Sequence, residues 1–175
     1  MAGTALLMSG CSSPDLTPVP TIAAAPYACE GVPGESAELI AGEPLDPSGP
    51  HGTWGDDDGL FACSLVGEST LVQVEERSVT SSPWGRTTED TLRAWESFSA
   101  GRPLDLDAPG SGYLWGSEED FTAGWVCNER SLTVAASGDH VEGRDRAEDV
   151  TRMLTSMLPW ACEGEDVPPA TEQQD

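Results

Sequence analysis

The sequence contains no lysine, so its positive charge comes from eight arginines alone. Against them stand 31 aspartates and glutamates, which gives a formal net charge of -23. Nucleic acids and anionic lipid headgroups are bound through basic patches, so this balance argues against both as ligands. The chain also lacks a G-x-S-x-G elbow, a phosphate-binding loop and an H-E-x-x-H zinc motif. It therefore predicts no catalytic residue and no cofactor.

Cysteines spaced as C-x-x-C are missing as well, which argues against a zinc site. Apart from Cys11, the cysteines are Cys29, Cys63, Cys127 and Cys162. An even number of cysteines in an exported domain predicts two disulfides. The near-equal spacings of 34 and 35 residues favour the pairs Cys29–Cys63 and Cys127–Cys162, and a Cys63–Cys127 link is the alternative.

The chain begins with a short uncharged stretch, residues 1–10, that is followed by a cysteine. The sequence Met8-Ser9-Gly10-Cys11 resembles the lipobox of bacterial lipoproteins. This resemblance implies that residues 1–10 are the remnant of a signal peptide and that Cys11 is the lipidation site. Two or more acyl chains make such an anchor stable. We therefore expect the protein to be exported and anchored to the outer face of the cytoplasmic membrane through Cys11.

Low-complexity segments flank the central part of the chain. Residues 11–28 are rich in Ser, Thr, Ala and Pro, and the prolines disfavour helices and strands. We interpret residues 11–28 as the lipid anchor and a semi-rigid tether with a reach of up to about 50 Å. Residues 163–175 are acidic and predict a disordered tail. The folded, disulfide-stapled domain is then expected at residues 29–162.

Within this domain the sequence contains an internal duplication, in which four blocks recur in the same order. Over the first three blocks the offset between the two copies grows from 59 to 64 residues. We therefore expect two structural repeats, residues 29–77 and 87–136, followed by a C-terminal helix. The matched blocks are Ala41–Asp46 with Ala100–Asp105, Trp54–Asp58 with Trp115–Glu119, Gly59–Cys63 with Gly124–Cys127, and Ser69–Val72 with Ser131–Val134.

Each repeat reads as a helix followed by a β-hairpin. Thr87 is a candidate N-cap, and Gly42 and Gly101 are candidate left-handed C-terminal caps. The last helix is expected from Arg144 to Leu158, where Pro159 ends it. The resulting order, αββαββα, predicts an α+β fold with an antiparallel sheet of about four strands and helices packed on one face.

Three tryptophans in predicted loops, Trp54, Trp84 and Trp115, are the candidate ligand face, because indole rings stack on sugars and aromatic ligands. Burial over the sheet is the alternative for these side chains. The acidic clusters Asp56–Asp58 and Glu118–Asp120 match no calcium-loop spacing. They predict solvated turns rather than a metal site.

The lipobox, the Pro-rich tether and the small disulfide-stapled domain together resemble the lipoproteins of actinobacterial envelopes. The resemblance is one of layout, so it implies a location and a non-enzymatic role but no ligand. We expect a surface-anchored binding or interaction module whose partner is an envelope protein or ligand. The alternative is a small envelope hydrolase that uses carboxylates among the 31 acidic residues.

Overall fold

Antiparallel strands make up most of the fold. The computed structural model describes residues 14–49, 51–56, 59–98 and 101–171. The strands in these ranges are β1 Tyr27–Cys29, β2 Val32–Pro33, β3 Asp46–Pro47, β4 Leu60–Val66, β5 Thr70–Ser78, β6 Arg102–Leu104, β7 Ser111–Gly116, β8 Asp120–Cys127 and β9 Arg130–Gly138. The helices are α1 Gly34–Ala41, α2 Thr88–Ser97 and α3 Arg146–Cys162.

The larger of two sheets has seven strands in the order β3-β4-β5-β9-β8-β7-β6, and all neighbouring strands in it are antiparallel. Strands β1 and β2 form a separate hairpin. The predicted α+β class is confirmed, but the predicted sheet of about four strands and the αββαββα order are wrong. The sequence gives little sign of β6 and β7, because Pro103, Gly112 and Gly116 are residue types that usually interrupt strands.

The central hairpins, β4–β5 and β8–β9, correspond to the predicted hairpin of each repeat and bury alternate side chains. The alternating side chains of β4 and β5 are at most 1% exposed: Phe61, Cys63, Leu65, Val72 and Val74. The corresponding side chains of β8 and β9 are also buried: Trp125, Cys127, Leu132, Val134 and Ala136. Period-two burial of this kind places one side of each hairpin in the core.

The two hairpins are related by a constant shift of 60 residues. Cys63 pairs with Val74 in the first hairpin, and Ala123 pairs with Val134 in the second. Val74 also pairs with Val134, so an approximate twofold axis passes through this central pair. The sequence blocks instead align Cys63 with Cys127. Matched blocks therefore occupy different places in the two hairpins.

The two shorter helices begin and end at local capping residues. α1 ends as predicted at Gly42, which has a φ of 74° and donates its N–H to the carbonyl of Glu38. At the start of α2, the Thr87 hydroxyl accepts the N–H of Asp90 at 3.1 Å, as predicted. The C-cap predicted at Gly101 is wrong, because α2 already ends at Ser97 and is capped by Phe98 in an extended conformation.

The last helix runs farther than the sequence predicts. Instead of ending at Leu158, α3 continues through Pro159 to Cys162. Proline is tolerated there because it stands in the last turn, where it removes only one helical hydrogen bond. The carbonyl of Pro159 still accepts the N–H of Glu163 at 3.1 Å.

The seven-stranded sheet has two unequal faces. The inner face carries the side chains of Cys63, Val74 and Val134 and is covered by α1 and α3, which share one core with it. The outer face carries the alternate residues of the same strands, and α2 packs on it against β7 and β8. The prediction that the helices lie on one face is therefore wrong. The apolar stripe of a helix shows that it packs, but it does not show on which side of the sheet it does so.

Two disulfides close the inner layer, with the predicted pairing. Cys29–Cys63 joins β1 to β4 across 6.3 Å between Cα atoms. Cys127–Cys162 joins β8 to the end of α3 across 5.6 Å between Cα atoms. On the chain-entropy model each loop stabilises the fold by about 3–4 kcal/mol.

The N-terminal segment, residues 14–20, lies against the domain instead of forming a free spacer. Val19 is fully buried in the inner core. The Arg152 guanidinium donates to the carbonyl of Val19, and Arg144 donates to the carbonyls of Asp15 and Thr17 at 2.8 and 3.0 Å. Cys11, the predicted lipidation site, lies outside the described residues.

The C-terminal segment is also ordered by contacts as far as Thr171. The N–H of Gly31 donates to the carbonyl of Pro168 at 2.7 Å. Thr171 exchanges two hydrogen bonds of 2.9 Å with Tyr27, one through its N–H and one through its hydroxyl. These contacts differ from the expected disordered tail over residues 163–171, and residues 172–175 lie outside the described part.

Candidate functional site

The outer face is almost uncharged at its centre. Among the outward positions of β4, β5, β9 and β8, only Glu75, Arg77 and Asp120 are ionisable, and Glu75 forms an ion pair with Arg77. The other outward residues are Leu60, Ala62, Ser64, Val66, Leu71, Gln73, Ser131, Thr133, Ala135, Ser137, Thr122, Gly124 and Val126. In a chain of net charge -23, this face is a local exception.

Aromatic side chains stand on the β7–β8 half of the outer face. Trp95, in the last turn of α2, is fully buried and stacks on Trp115 with 5.2 Å between ring centroids. It also meets Trp84 edge-on at 5.5 Å. Phe98 completes the group at 5.6 Å from Trp115 and 6.4 Å from Trp84. The buried ring of Trp95 thus holds two partly exposed rings, Trp84 and Trp115, and Phe98 packs against both of these.

A glycine in β8 allows this packing. A Cβ at Gly124 would lie 2.9 Å from ring atoms of both Trp95 and Trp115. Glycine in a strand interior usually weakens the strand, and its use here marks a close approach of other groups. Because Gly124 has no side chain, the indole ring of Trp95 on α2 can pack directly on the backbone of β8.

Beside these rings the outer face forms a groove of about 210 Å³, which we call the aromatic groove. Its lining residues are Gln73, Glu75, Trp84, Phe98, Trp115, Thr122, Thr133 and Ala135. Ligand sites generally combine apolar walls with a few placed polar groups, and this groove has that composition.

The polar floor of the aromatic groove follows the register of the sheet. Gln73, Ala135, Thr122 and Trp115 lie in one row across four strands. Because neighbouring strands are about 4.8 Å apart, Gln73 and Thr122 stand roughly 10 Å apart on either side of the small Ala135. Gln73 donates to the Ser64 hydroxyl at 3.3 Å. The hydroxyls of Thr122 and Thr133 make no hydrogen bond within the described part of the chain.

Arg77 joins the charged and aromatic parts of this site. Its guanidinium pairs with the carboxylate of Glu75 and lies 5.8 Å from the ring centroid of Trp84. The cation is therefore held by two partners of the outer face, one of them by a cation–π contact. The Glu75–Arg77 pair leaves no net charge at this end of the groove.

The three tryptophans of the predicted ligand face do not come together as one surface. Trp84 and Trp115 both line the aromatic groove. Trp54 lies in the inner core, where its ring centroid is 4.6 Å from that of Phe61 and its indole N–H donates to the carbonyl of Glu30 at 2.7 Å. For Trp54 the structure has the burial that the sequence left open as the alternative.

Several residues of the groove escape sequence analysis. The apolar stripe of α2 assigns Phe98 to the core, and Gln73 and Thr133 are ordinary strand residues. A signal was nevertheless present, because Gln73 and Glu75 alternate with the buried Val72 and Val74 on β5. Polar residues at alternate positions predict a second, uncovered face.

Buried charge belongs to the inner layer. Glu76 is 2% exposed and pairs with Arg130, which also donates to the carbonyl of Asp56 at 3.1 Å. Arg146, 3% exposed, donates to the backbone carbonyls of Glu119, Gly138 and Asp139. Burial lowers the pKa of the Arg146 guanidinium, and nearby carboxylates oppose this shift. These contacts fix loops at the ends of the sheet.

The predicted acidic turns are described only in part. Among the described residues, no group of three or more His, Cys, Asp or Glu side chains is arranged to hold a metal ion. Glu118, Glu119 and Asp120 are exposed around the turn between β7 and β8. Of the other cluster, Asp57 and Asp58 lie outside the described residues.

Comparison with known proteins identifies no relative. No family model matches the chain, and neither a curated protein nor a solved structure shows significant similarity to it. In the described ranges no helix is both long and apolar enough to cross a membrane. The function is therefore inferred from the geometry of the aromatic groove alone.

Proposed function

We propose that the protein is a cell-surface binding module and that the aromatic groove is its ligand site. The observation that supports this most is the combination of partly exposed rings, Trp84, Phe98 and Trp115, with unbonded hydroxyls on a rigid sheet. Sites on strands hold their side chains precisely, because neighbouring strands fix each position. The rings are additionally held by the buried Trp95.

The groove supports binding better than hydrolysis, which is the alternative function. Hydrolysis of glycosidic bonds canonically takes two carboxyl groups on either side of the scissile bond. Among the lining residues that the structure describes, Glu75 is the only carboxylate, and its partner Arg77 already engages it. A module that holds its ligand without cleaving it needs no second carboxylate.

The proposed location is the outer face of the cytoplasmic membrane, with Cys11 as the lipid-bearing residue. The lipobox-like residues 8–11 and the two disulfides support an exported protein. Asp15, whose carbonyl Arg144 binds, follows Cys11 by only four residues, so the intervening chain can span about 14 Å at most. An anchored domain would then sit close to the bilayer, and not at the end of a long tether. Cys11→Ser should move the protein from the detergent phase to the aqueous phase.

The binding function is tested with the full chain by NMR of the indole N–H groups during titration with a panel of small probes. The panel contains neutral disaccharides, glucuronic acid, choline and N-acetylphenylalaninamide. We expect at least one probe to shift the Trp84 and Trp115 signals saturably, and Trp115→Ala to weaken its binding about tenfold. The matched control is Trp160→Ala, because Trp160 is a partly buried indole in the core of the inner layer. If no probe shifts Trp84 or Trp115, the groove is not a ligand site.

A further inference from the structure

Resting on the proposed function, we infer that the ligand of the aromatic groove is a neutral saccharide, bound by stacking on Trp115 and by hydrogen bonds to Gln73, Thr122 and Thr133. The inference depends on three properties of the groove: its lack of net charge, its flat rings and the spacing of its polar floor. Each property excludes a different class of ligand.

Charge excludes ionic ligands. The groove's one carboxylate, Glu75, is neutralised by Arg77, so the site itself offers no free ionic partner. An anion would also approach a chain of net charge -23, which repels it at long range. A cation is attracted by the chain as a whole, but the face of Trp84 that would receive it is already occupied by the Arg77 guanidinium at 5.8 Å.

The rings favour a ligand with an apolar face and a polar rim. The negative face of an indole ring attracts polarised C–H groups, and a pyranose ring presents several of these on one face. Trp115 and Phe98 stand 5.6 Å apart with planes at 58°, so the two rings contact each other and leave no slot between them for a flat ligand. A ligand can therefore stack on one ring face only, as a puckered sugar ring does through its C–H groups, whereas a flat aromatic ligand is better held between parallel rings.

The polar floor matches the hydroxyl groups at the rim of such a ligand. Gln73 and Thr122 stand roughly 10 Å apart on either side of the small Ala135, and this distance is wide enough for one sugar ring to lie between their side chains. Amide and hydroxyl groups both donate and accept hydrogen bonds, as sugar hydroxyls do. A purely aromatic or aliphatic ligand would desolvate these groups without replacing their hydrogen bonds, which is unfavourable.

Stacking and hydrogen bonding are separated by two variants of the full chain. The probes are cellobiose, mannobiose and chitobiose, with glucuronic acid, choline and N-acetylphenylalaninamide for comparison. Trp115→Ala removes a stacking ring, and Thr122→Val removes a hydroxyl without a change in shape. The control for the second is Thr151→Val on α3, whose hydroxyl bonds the carbonyl of Ala147 far from the groove. Near-UV circular dichroism of each variant verifies that the fold is intact.

We expect saturable binding of at least one neutral disaccharide with an affinity that high NaCl leaves unchanged, because no ion pair forms. Trp115→Ala and Thr122→Val should each lower that affinity about tenfold, whereas Thr151→Val should not change it. If the amide, choline or glucuronic acid shifts the Trp84 and Trp115 signals and no disaccharide does, the saccharide inference is wrong and the binding function stands. If no probe shifts them, both are wrong.

Discussion

The inner and outer faces of the seven-stranded sheet are built from the same strands but are completed differently. The inner face is covered by two helices and the N-terminal segment and is closed by two disulfides. The outer face is covered by α2 over β7 and β8, whereas Leu60 and Val66 on β4 remain 38% and 44% exposed. One face therefore stabilises the domain, and the other presents exposed side chains to solvent, as the proposed binding function requires.

Charge follows the same division. The inner layer buries the charged side chains of Glu76, Asp149 and Arg146, and each has polar partners. The centre of the outer face avoids charge, although the chain as a whole has 31 acidic residues. A charged side chain stays in a buried position only where partners compensate its lost hydration. The same physics gives the outer face a surface suited to an uncharged ligand.

The largest expected difference between the faces is in the free energy of unfolding that is lost when an ion pair is broken. The two pairs to compare involve neighbouring glutamates of β5, Glu75 and Glu76. Arg130→Met should leave the Glu76 carboxylate buried without its partner and cost about 3–5 kcal/mol of unfolding free energy. Arg77→Met removes the partner of Glu75, which is 33% exposed and can be hydrated, so the cost should be about 1 kcal/mol. Urea unfolding of both variants measures the two costs. Equal losses of unfolding free energy would mean that Glu75 on the outer face is as poorly hydrated as Glu76 on the inner face.

These two ion pairs show which features of the fold can be predicted from the sequence and which cannot. The alternation of Val72 and Val74 with polar residues predicts a strand with one buried side, and it is confirmed. The same alternation places Glu76 on the buried side, yet its partner Arg130 is 54 residues away in the sequence. Local patterns cannot identify such a partner, because the pairing depends on which strands become neighbours.

The candidate site was accessible from the sequence only in part, for the same reason. Trp84 and Trp115 are singled out by their residue type, and both line the groove. The sequence duplication matches Trp54 with Trp115, but the two hairpins are related by a shift of 60 residues. Trp115 pairs with Thr122, whose counterpart in the first hairpin is Ala62, and the partner of Ala62 is His51 and not Trp54. Sequence similarity therefore does not show which side of the sheet a tryptophan occupies.

The terminal segments show a second limit of composition. A proline-rich segment cannot form regular helix or strand, so a flexible spacer is the natural expectation. Irregular backbone can still be bound, however, if other groups satisfy its carbonyls. Arg144 and Arg152 do this for the N-terminal segment.

A smaller difference between the faces is expected from two matched valines. Val19 of the N-terminal segment is fully buried on the inner side, and Val66 is 44% exposed at the outer end of β4. Val19→Ala should cost about 2 kcal/mol of unfolding free energy, because it removes buried methyl groups. Val66→Ala should cost less than about 0.5 kcal/mol. The urea midpoints of the two variants give the comparison directly.

Limited proteolysis adds a second measurement for the N-terminal segment. We expect cleavage by trypsin after Arg144 to be slow in the wild type and faster in Val19→Ala, because Arg144 binds the N-terminal segment and local opening exposes its backbone. A Val19→Ala variant with wild-type stability and wild-type proteolysis would show that residues 14–20 do not contribute to the inner layer in solution.

The smallest expected effect is a pH dependence at the turn where β4 and β5 meet. The Glu43 carboxylate accepts the N–H groups of Ser69 and Glu68, each at 3.0 Å. These bonds, first among them the one from Ser69, hold the pKa of Glu43 below its ordinary value of 4.5. A carboxyl whose pKa is lowered by folding stabilises the fold above its ordinary pKa. That contribution is lost as the pH falls through the folded-state value.

Glu43→Gln removes this contribution, so the melting temperature of the wild type should exceed that of the variant near neutral pH. The difference should shrink as the pH is lowered from about 7 to about 3, because the wild-type carboxyl then becomes neutral too. The matched control is Glu38→Gln on α1, whose carboxylate is exposed and makes no hydrogen bond within the described ranges. Subtraction of the two series cancels the general relief of acidic repulsion at low pH, which both substitutions share. A Glu43→Gln difference that does not vary with pH would show that the turn is held by geometry and not by the charge of Glu43.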